Sequence, residues 1–327
     1  MDMDSKSEAI LNRLSKDSRA SLSSIAREIG VSPVTVKKKL DMLEKKLDIK
    51  YLLRFNEKKL GFLFNYFITI KFKKIPSEHI LKEILLRHPA PQFAAICKGD
   101  FNFIAYISFK SAEEYFAWTS WFRHKLQQYI ESWNTFSLID MHFGFFPLRE
   151  ELISDIDLKQ SLKDILHYLH ENSRIALNDL ARLVNLSPPT VKYHLTRILH
   201  SNYITMNAMS VEKTDLPIQF VELSILKYPK DYIQKNKEVR YRKIRTPKKT
   251  LIAATISGTA DFLSIYSFKN TEDCYKFQNE FKKIVSSISS PHSSALILKV
   301  ILGKIPYNYL TVEEAYSPPN YYLYLGR

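Results

Sequence analysis

The sequence predicts an α+β chain assembled by tandem duplication, in which a small three-helix domain precedes a plaited sheet domain and the pair then repeats. Three observations carry this reading. Residues Ile10–Leu40, ILNRLSKDSRASLSSIAREIGVSPVTVKKKL, align without a gap on Ile165–Leu195, ILHYLHENSRIALNDLARLVNLSPPTVKYHL, at a constant offset of about 155 positions. Self-similarity at so long a spacing marks a duplicated domain, not a solenoid repeat. Each copy is followed by alternating apolar strands and amphipathic helices, and a second match, GDFNFIAYISF on GTADFLSIYSF (99–109 and 258–268), shows that the sheet was duplicated too.

The positions shared by the first repeat are of two kinds. Ile10, Leu11, Leu14, Leu22, Val36 and Leu40, with Ile165, Leu166, Leu169, Leu177, Val191 and Leu195, are apolar and helix-spaced, as a core requires. Ser18, Arg19, Arg27, Ser32, Thr35 and Lys37, with Ser173, Arg174, Arg182, Ser187, Thr190 and Lys192, are polar, and a core does not demand them. Retention of the same cations in two copies points to a binding surface.

In chain order, Ser5 or Ser7 is placed to cap a first helix, and Asp17-Ser18-Arg19 breaks it. Leu22–Ile29 forms a second helix, and Gly30 suits a left-handed turn. Ser32-Pro33 then starts a third helix with an N-cap followed by proline at the first helical position. Val36, Leu40 and Leu43 make its inner face, and at about 100° per residue Val34, Lys37, Lys38, Asp41 and Lys45 fall outward. Three short helices with a glycine turn before the last make a helix-turn-helix, whose third helix is the one suited to a major groove. In the second copy the same helices are expected at about 158–170, 177–184 and 188–201, with Asn185 in the place of Gly30.

Ile49–Phe55 is expected as a short strand and residues 56–61 as a hinge. Strands at 62–72, 91–98, 101–109 and 135–146, with helices at 77–88 and 111–133, give a ferredoxin-like βαββαβ sheet with both helices on one face. Residues 147–160 connect to the second copy, where PIQFVELSILKY, LIAATISG, DFLSIYSF, a helix over 271–287 and ALILKVILG repeat the sheet. The second sheet departs at 228–250, where a strongly basic segment replaces the short helix and is a candidate phosphate-contacting element. The expected domains are therefore 1–55 and 151–210 (winged helix-turn-helix), 56–150 and 211–310 (ferredoxin-like), and a tyrosine-rich tail at 311–327.

A formal charge of +14 on 327 residues favours an anionic partner, with nucleic acid first and an anionic membrane second. Cys97 and Cys274 are far apart and read as reduced, buried thiols. No apolar run of about 18 residues is present to span a bilayer, and the polar N-terminus is unlike a signal peptide, so a cytoplasmic location is expected. The seven glycines form no phosphate-cradling loop, and no G-x-S-x-G, H-E-x-x-H or C-x-x-C occurs. His167, His170, His194 and His200 read as helix-surface residues. The reading at this point is no enzyme and no cofactor.

The SPVTVKKKLDMLEKK helix, the IKYLLRFNEKKLGF link and the βαββαβ unit with Gly99-x-x-Asn102 resemble the leucine-responsive/AsnC (feast/famine) transcription regulators, over nearly the whole chain and twice. The resemblance implies double-stranded DNA as partner, with Ser32, Pro33, Val34, Thr35, Lys37 and Lys38 contacting it in the first copy and Ser187, Pro188, Pro189, Thr190, Lys192 and Tyr193 in the second. It places Arg19 and Arg174 against the DNA backbone, and a small effector near Gly99 and Asn102 and near Gly258 and Asp261. Family members pair as homodimers, so two copies in one chain imply an internal pseudo-dimer with its sheets back to back, and a homodimer of such chains beyond that. The alternatives are an architectural DNA-binding protein without sequence preference, and a sirohaem decarboxylase of the same architecture, for which IKYLLRF stands where an arginine-rich segment is expected.

Overall fold

The apolar stripes of the two repeats become the cores of two helical heads. In the first, α1 (Ser5–Lys16), α2 (Leu22–Ile29) and α3 (Pro33–Leu47) bury Ile10, Leu11, Leu14, Ile25, Val36, Leu40 and Leu43 against one another. In the computed structural model, which describes residues 4–154, 156, 158–212, 218–226, 250–285 and 289–306, β1 (Ile49–Phe55) follows, then β2 (Phe64–Phe72) and α4 (Glu78–Leu86). The first sheet is completed by β3 (Pro91–Gly99), β4 (Phe103–Phe109), α5 (Ala112–Leu126) and β5 (Ile130–Phe143). A short α6 (Glu150–Ser154) leads to the second head, α7 (Gln160–Glu171), α8 (Leu177–Leu183) and α9 (Pro188–His200), and to β6 (Ile204–Val211). The second sheet comprises β7 (Ile218–Leu226), β8 (Thr250–Ser257), β9 (Phe262–Phe268), α10 (Thr271–Val285) and β10 (Ser289–Leu302). The basic segment up to residue 249 and the tyrosine-rich tail lie outside the described residues.

Three local expectations change. The cap of α1 is Asp4, not Ser5 or Ser7: its carboxylate accepts from the Ser7 N–H at 2.9 Å and also takes the Lys39 ammonium at 2.7 Å, a charge-assisted pairing open to no serine. Helix α5 stops at Leu126 instead of reaching 133, because Ile130, Ser132 and Trp133 are needed by β2, where they face Phe72, Lys71 and Ile70. The connection after β5 contains α6, whose Leu152 and Ile153 are buried in the core of the second head.

The heads are not independent. Strand β1 pairs antiparallel with β6, with Leu52 opposite Ala208 and Leu53 opposite Asn207, so the two copies meet at equivalent positions. Each strand packs on the other copy's head. Met209 and Val211 from β6 join the core under α1, whereas Leu53 and Phe55 from β1 join the core of the second head. Beside this ribbon, Ser18 Oγ and Ser173 Oγ lie 2.9 Å apart, both fully buried. Arg19 donates to the carbonyls of Ser173 (2.6 Å) and Ile175 (3.3 Å), and Arg174 donates to those of Ser18 and Ala20 (the latter at 2.9 Å). Every contact i to j is matched by its counterpart j to i, which defines an isologous interface about a pseudo-twofold axis between the serines. Arg174 also lies over the Tyr51 ring at 5.6 Å, and Tyr51 donates to Glu44 at 2.5 Å.

The sheets join edge to edge, not back to back. Their eight strands close a barrel in the order β10-β3-β4-β2-β5-β8-β9-β7. Each sheet's last strand pairs with the other's second strand, with Asp140 opposite Thr255 and, equivalently, Lys299 opposite Ile96. Closure removes the exposed edges that each four-stranded sheet carries alone. Phe67, Phe93, Tyr106, Phe136, Val221, Ile252 and Leu263 fill the interior. Outside, α4 and α5 cover the first sheet through Leu81, Leu85, Trp118 and Phe122, and α10 covers part of the second through Cys274 and Phe277. Both cysteines are free and buried, and burial pushes the Cys97 thiol up.

After β5 and β10 the chain turns inward at Gly144 and Gly303, with φ of 70° and 67°. A Cβ there would sit 2.0 Å from the carbonyl oxygens of Leu251 and Gln92 respectively, so only glycine fits. The turns deliver Phe146 and Ile305 to the barrel core, where Phe146 stacks on Tyr106 at 4.7 Å. Tyr106 in turn donates to Glu57 at 2.6 Å, tying the hinge between head and sheet to the barrel. Burial raises the pKa of that carboxyl.

The junction makes a measurable prediction. Arg19→Ala or Arg174→Ala each removes charge-assisted hydrogen bonds worth about 1.5–3 kcal/mol apiece. Because both act on one interface, the double variant is expected to lose less than the sum of the singles, with a coupling of at least ~0.5 kcal/mol in a thermal or urea denaturation cycle. Strictly additive losses would contradict a shared junction.

Candidate nucleic-acid interface

The third helices of both heads start in the same way. Ser32, at φ −76° and ψ 151°, accepts from the Thr35 N–H at 3.1 Å and touches the Thr35 hydroxyl at 2.8 Å. Ser187, at φ −70° and ψ 148°, does the same with Thr190 at 3.3 and 2.7 Å. In both copies the serine satisfies one of the orphan N–H groups at the helix start, and proline follows where no N–H is needed. Ser32, Thr35, Ser187 and Thr190 therefore build the helix starts. The turn before each is left-handed, at Gly30 (φ 68°) and Asn185 (φ 52°), and directs α3 and α9 back across α2 and α8.

The anchored ends leave one row of side chains in solvent. Pro33, Val34, Lys37 and Lys38 are exposed on α3, and Pro188, Pro189, Lys192 and Tyr193 on α9. Lys39 is different: it is turned back onto Asp4, whose carboxyl it holds down, together with the Ser7 N–H, to about 2. The lysine run at 37–39 thus divides into two outward cations and one that secures the chain start. Beside α9, Arg182, Asn185, Ser187 and Pro188 line a shallow open depression at the turn.

Arg19 and Arg174 do not belong to this face, which corrects their expected placement against a DNA backbone. Both guanidinium groups are committed to carbonyls of the opposite copy, and burial together with the neighbouring Arg174 charge lowers the pKa of Arg19 despite the nearby Asp17. The signal was present in the sequence, since Ser18-Arg19 and Ser173-Arg174 are among the repeated polar positions. Repeated polar residues mark a binding surface, and here the surface is the other copy.

The residues expected around an effector are engaged within the sheets (Asn102 and Asp261) or at their seams (Gly99 and Gly258). Asn102 accepts from the Phe72 N–H at 2.7 Å and donates to the Phe72 carbonyl at 3.2 Å. A Cβ on Gly99 would lie 2.3 Å from the Ser294 carbonyl oxygen of β10, and one on Gly258 would lie 3.0 Å from the Thr135 oxygen of β5. The Asp261 backbone donates to the Ser224 carbonyl and accepts from the Ile256 N–H. Glycine at these turns lets each loop approach the strand that closes the barrel.

Comparison with known proteins agrees with the duplication. A profile of the AsnC-type helix-turn-helix domain matches residues 3–44, and one of winged helix-turn-helix DNA-binding domains matches residues 158–205. The HTH-type transcriptional regulator LrpA of Pyrococcus horikoshii is 41% identical over 61 residues, covering 18% of this chain and 43% of that protein. The chain therefore matches less than half the length of that curated relative. Over almost its full length it is similar in fold to the crystal structure of siroheme decarboxylase NirDL, at a TM-score of 0.61 and 13% identity, covering 98% of this chain and 99% of that one. The same enzyme in complex with an iron-uroporphyrin III analogue matches with a TM-score of 0.61 over 98% of both chains.

This likeness in fold corrects the expectation that the chain is no enzyme: two solved structures that match it over 98% of its length are those of an enzyme. The link IKYLLRF, which stands where that class is expected to carry arginines, is the ribbon strand β1, paired with β6 and burying Leu53 and Phe55 in the second head. Each of the two helix-turn-helix domains is followed by strands that enter the one barrel. The chain carries two helix-turn-helix DNA-binding domains in tandem, the first of them of the AsnC type.

Proposed function

We propose that this chain is a DNA-binding transcription regulator that sets α3 and α9 into the major groove of one double-stranded site. The observation that carries the proposal is the matched pair of helix starts, each serine-capped and each presenting outward cations: Lys37 and Lys38 on one head, Lys192 on the other. N-terminal residues of a recognition helix are those that reach base edges, and lysines there supply phosphate contacts or bonds to guanine O6 and N7. Pro33, Val34, Pro188, Pro189 and Tyr193 complete the contact row. The barrel serves as the scaffold on which the paired heads are mounted.

The test is fluorescence anisotropy of the full chain with labelled DNA at several salt concentrations, comparing the protein's own upstream region with random duplex. Lys37→Ala and Lys38→Ala are each expected to weaken binding and to reduce the slope of log affinity against log salt by about 1 for each lost phosphate contact. An unchanged affinity and slope in both variants would remove α3 from the interface. Equal affinities for random and upstream DNA would favour an architectural role.

One observation favours a second reading, a decarboxylase acting on a tetrapyrrole: the whole-chain similarity in fold to siroheme decarboxylase NirDL. The barrel interior is packed with Phe67, Phe93, Tyr106, Phe136 and Phe146, so a macrocycle would lie outside it. Titration of the purified chain with sirohaem or iron-uroporphyrin III is the check. A saturable shift of the tetrapyrrole absorbance with loss of carboxyl groups would establish this reading, and an unperturbed spectrum would dismiss it.

A further inference from the structure

The two heads present unlike residues at the one place where they would read a partner. Over the first six helical residues, Pro33-Val34-Thr35-Val36-Lys37-Lys38 and Pro188-Pro189-Thr190-Val191-Lys192-Tyr193 differ only at 34 against 189 and at 38 against 193. The residues that place the helix, namely the capping serine, the threonine it holds and the buried Val36 or Val191, are the same in both, and the caps share one backbone geometry. The difference therefore lies in what is presented, not in where. Val34 is 64% exposed and Tyr193 is 60% exposed, so neither large apolar side chain is explained by a core.

Lys38 offers an ammonium for guanine O6 and N7, and Val34 offers methyl groups for the C5-methyl of thymine. Tyr193 has no charge and offers a ring with a single donor-acceptor hydroxyl, and Pro189 adds a rigid apolar edge. The heads are also held in one mutual relation by the Ser18–Ser173 contact, the crossed arginines and the β1–β6 ribbon. A homodimer places identical helices on its axis and reads a palindrome, but this chain places unlike helices on a pseudo-axis.

We propose that its operator is non-palindromic and bound in one orientation, with one half-site read through Val34 and Lys38 and the other through Pro189 and Tyr193, at a single fixed spacing. The proposal rests on the DNA-binding reading above and assigns the specificity of that interface to these two pairs of positions.

The experiment is selection of bound duplexes from a random library by the full chain, followed by sequencing. Unlike half-sites at one spacing are expected. The variant Val34→Pro with Lys38→Tyr copies the second face onto the first, and proline is tolerated there because Pro189 occupies the equivalent place in the first turn of α9. It is expected to change one half-site only and to move the motif towards a palindrome. Tyr193→Lys is expected to change the other half only. A palindrome selected by the unaltered chain, or a motif that neither variant changes, would overturn the proposal while leaving DNA binding standing. Failure to enrich any sequence would overturn a sequence-reading regulator itself, and this proposal with it.

Discussion

Two half-buried guanidinium groups, each bonded to backbone carbonyls of the opposite repeat, hold this molecule in its arrangement. Arg19 and Arg174 carry like charges across the junction, and the Arg174 charge acts with burial to lower the pKa of Arg19. They are tolerated because the breaks after α1 and α7 expose carbonyls at Ser18 and Ala20 and at Ser173 and Ile175, which point into the junction. Removing one arginine leaves carbonyls unpaired in a partly buried seam. Keeping both makes each head the partner that completes the other. The exchanged strands β1 and β6 extend this dependence into the apolar cores.

The barrel obeys the same pseudo-symmetry with a different spacing. The heads are related by 155 positions, whereas the equivalent pairs Asp140–Thr255 and Ile96–Lys299 are related by 159. Strands β2 and β7 are related by 154, so the second copy is one residue shorter before β7 and five longer between β7 and β8, where it carries the basic segment. Insertion there leaves every strand pairing of the barrel in place. At the junction of barrel and head the copies diverge. Glu57 is buried against Tyr106, whereas its counterpart Glu212 is paired with Lys304 at 3.1 Å. The pseudo-dimer is therefore symmetric in its framework and asymmetric at its hinges and at the exposed starts of α3 and α9.

Much of this was legible in the sequence because duplication supplies its own control. Ile10, Leu14, Val36 and their counterparts follow helical periodicity, and Ser32-Pro33 and Ser187-Pro188 mark helix starts by capping chemistry alone. What was not legible depends on partners distant in the chain. Leu53 and Phe55 read as a strand, but nothing local says that they complete the second head. Arg19 reads as an exposed cation until the opposite carbonyls are seen. Gly99 and Asn102 read as a ligand turn by resemblance, whereas Gly99 abuts β10 where the barrel closes and Asn102 is bonded to Phe72 of its own sheet. The end of α5 was overrun because Glu131, Ser132 and Trp133 continue a helical pattern, and only pairing with β2 turns them into strand.

The central claim is that one chain is a complete two-headed reader of DNA. Hydroxyl-radical footprinting of the full chain on a duplex that it binds tests this most directly. The account predicts two protected patches on one face of the duplex, about one helical turn apart and unequal in outline. A single patch, or protection spread evenly along the duplex, would contradict it.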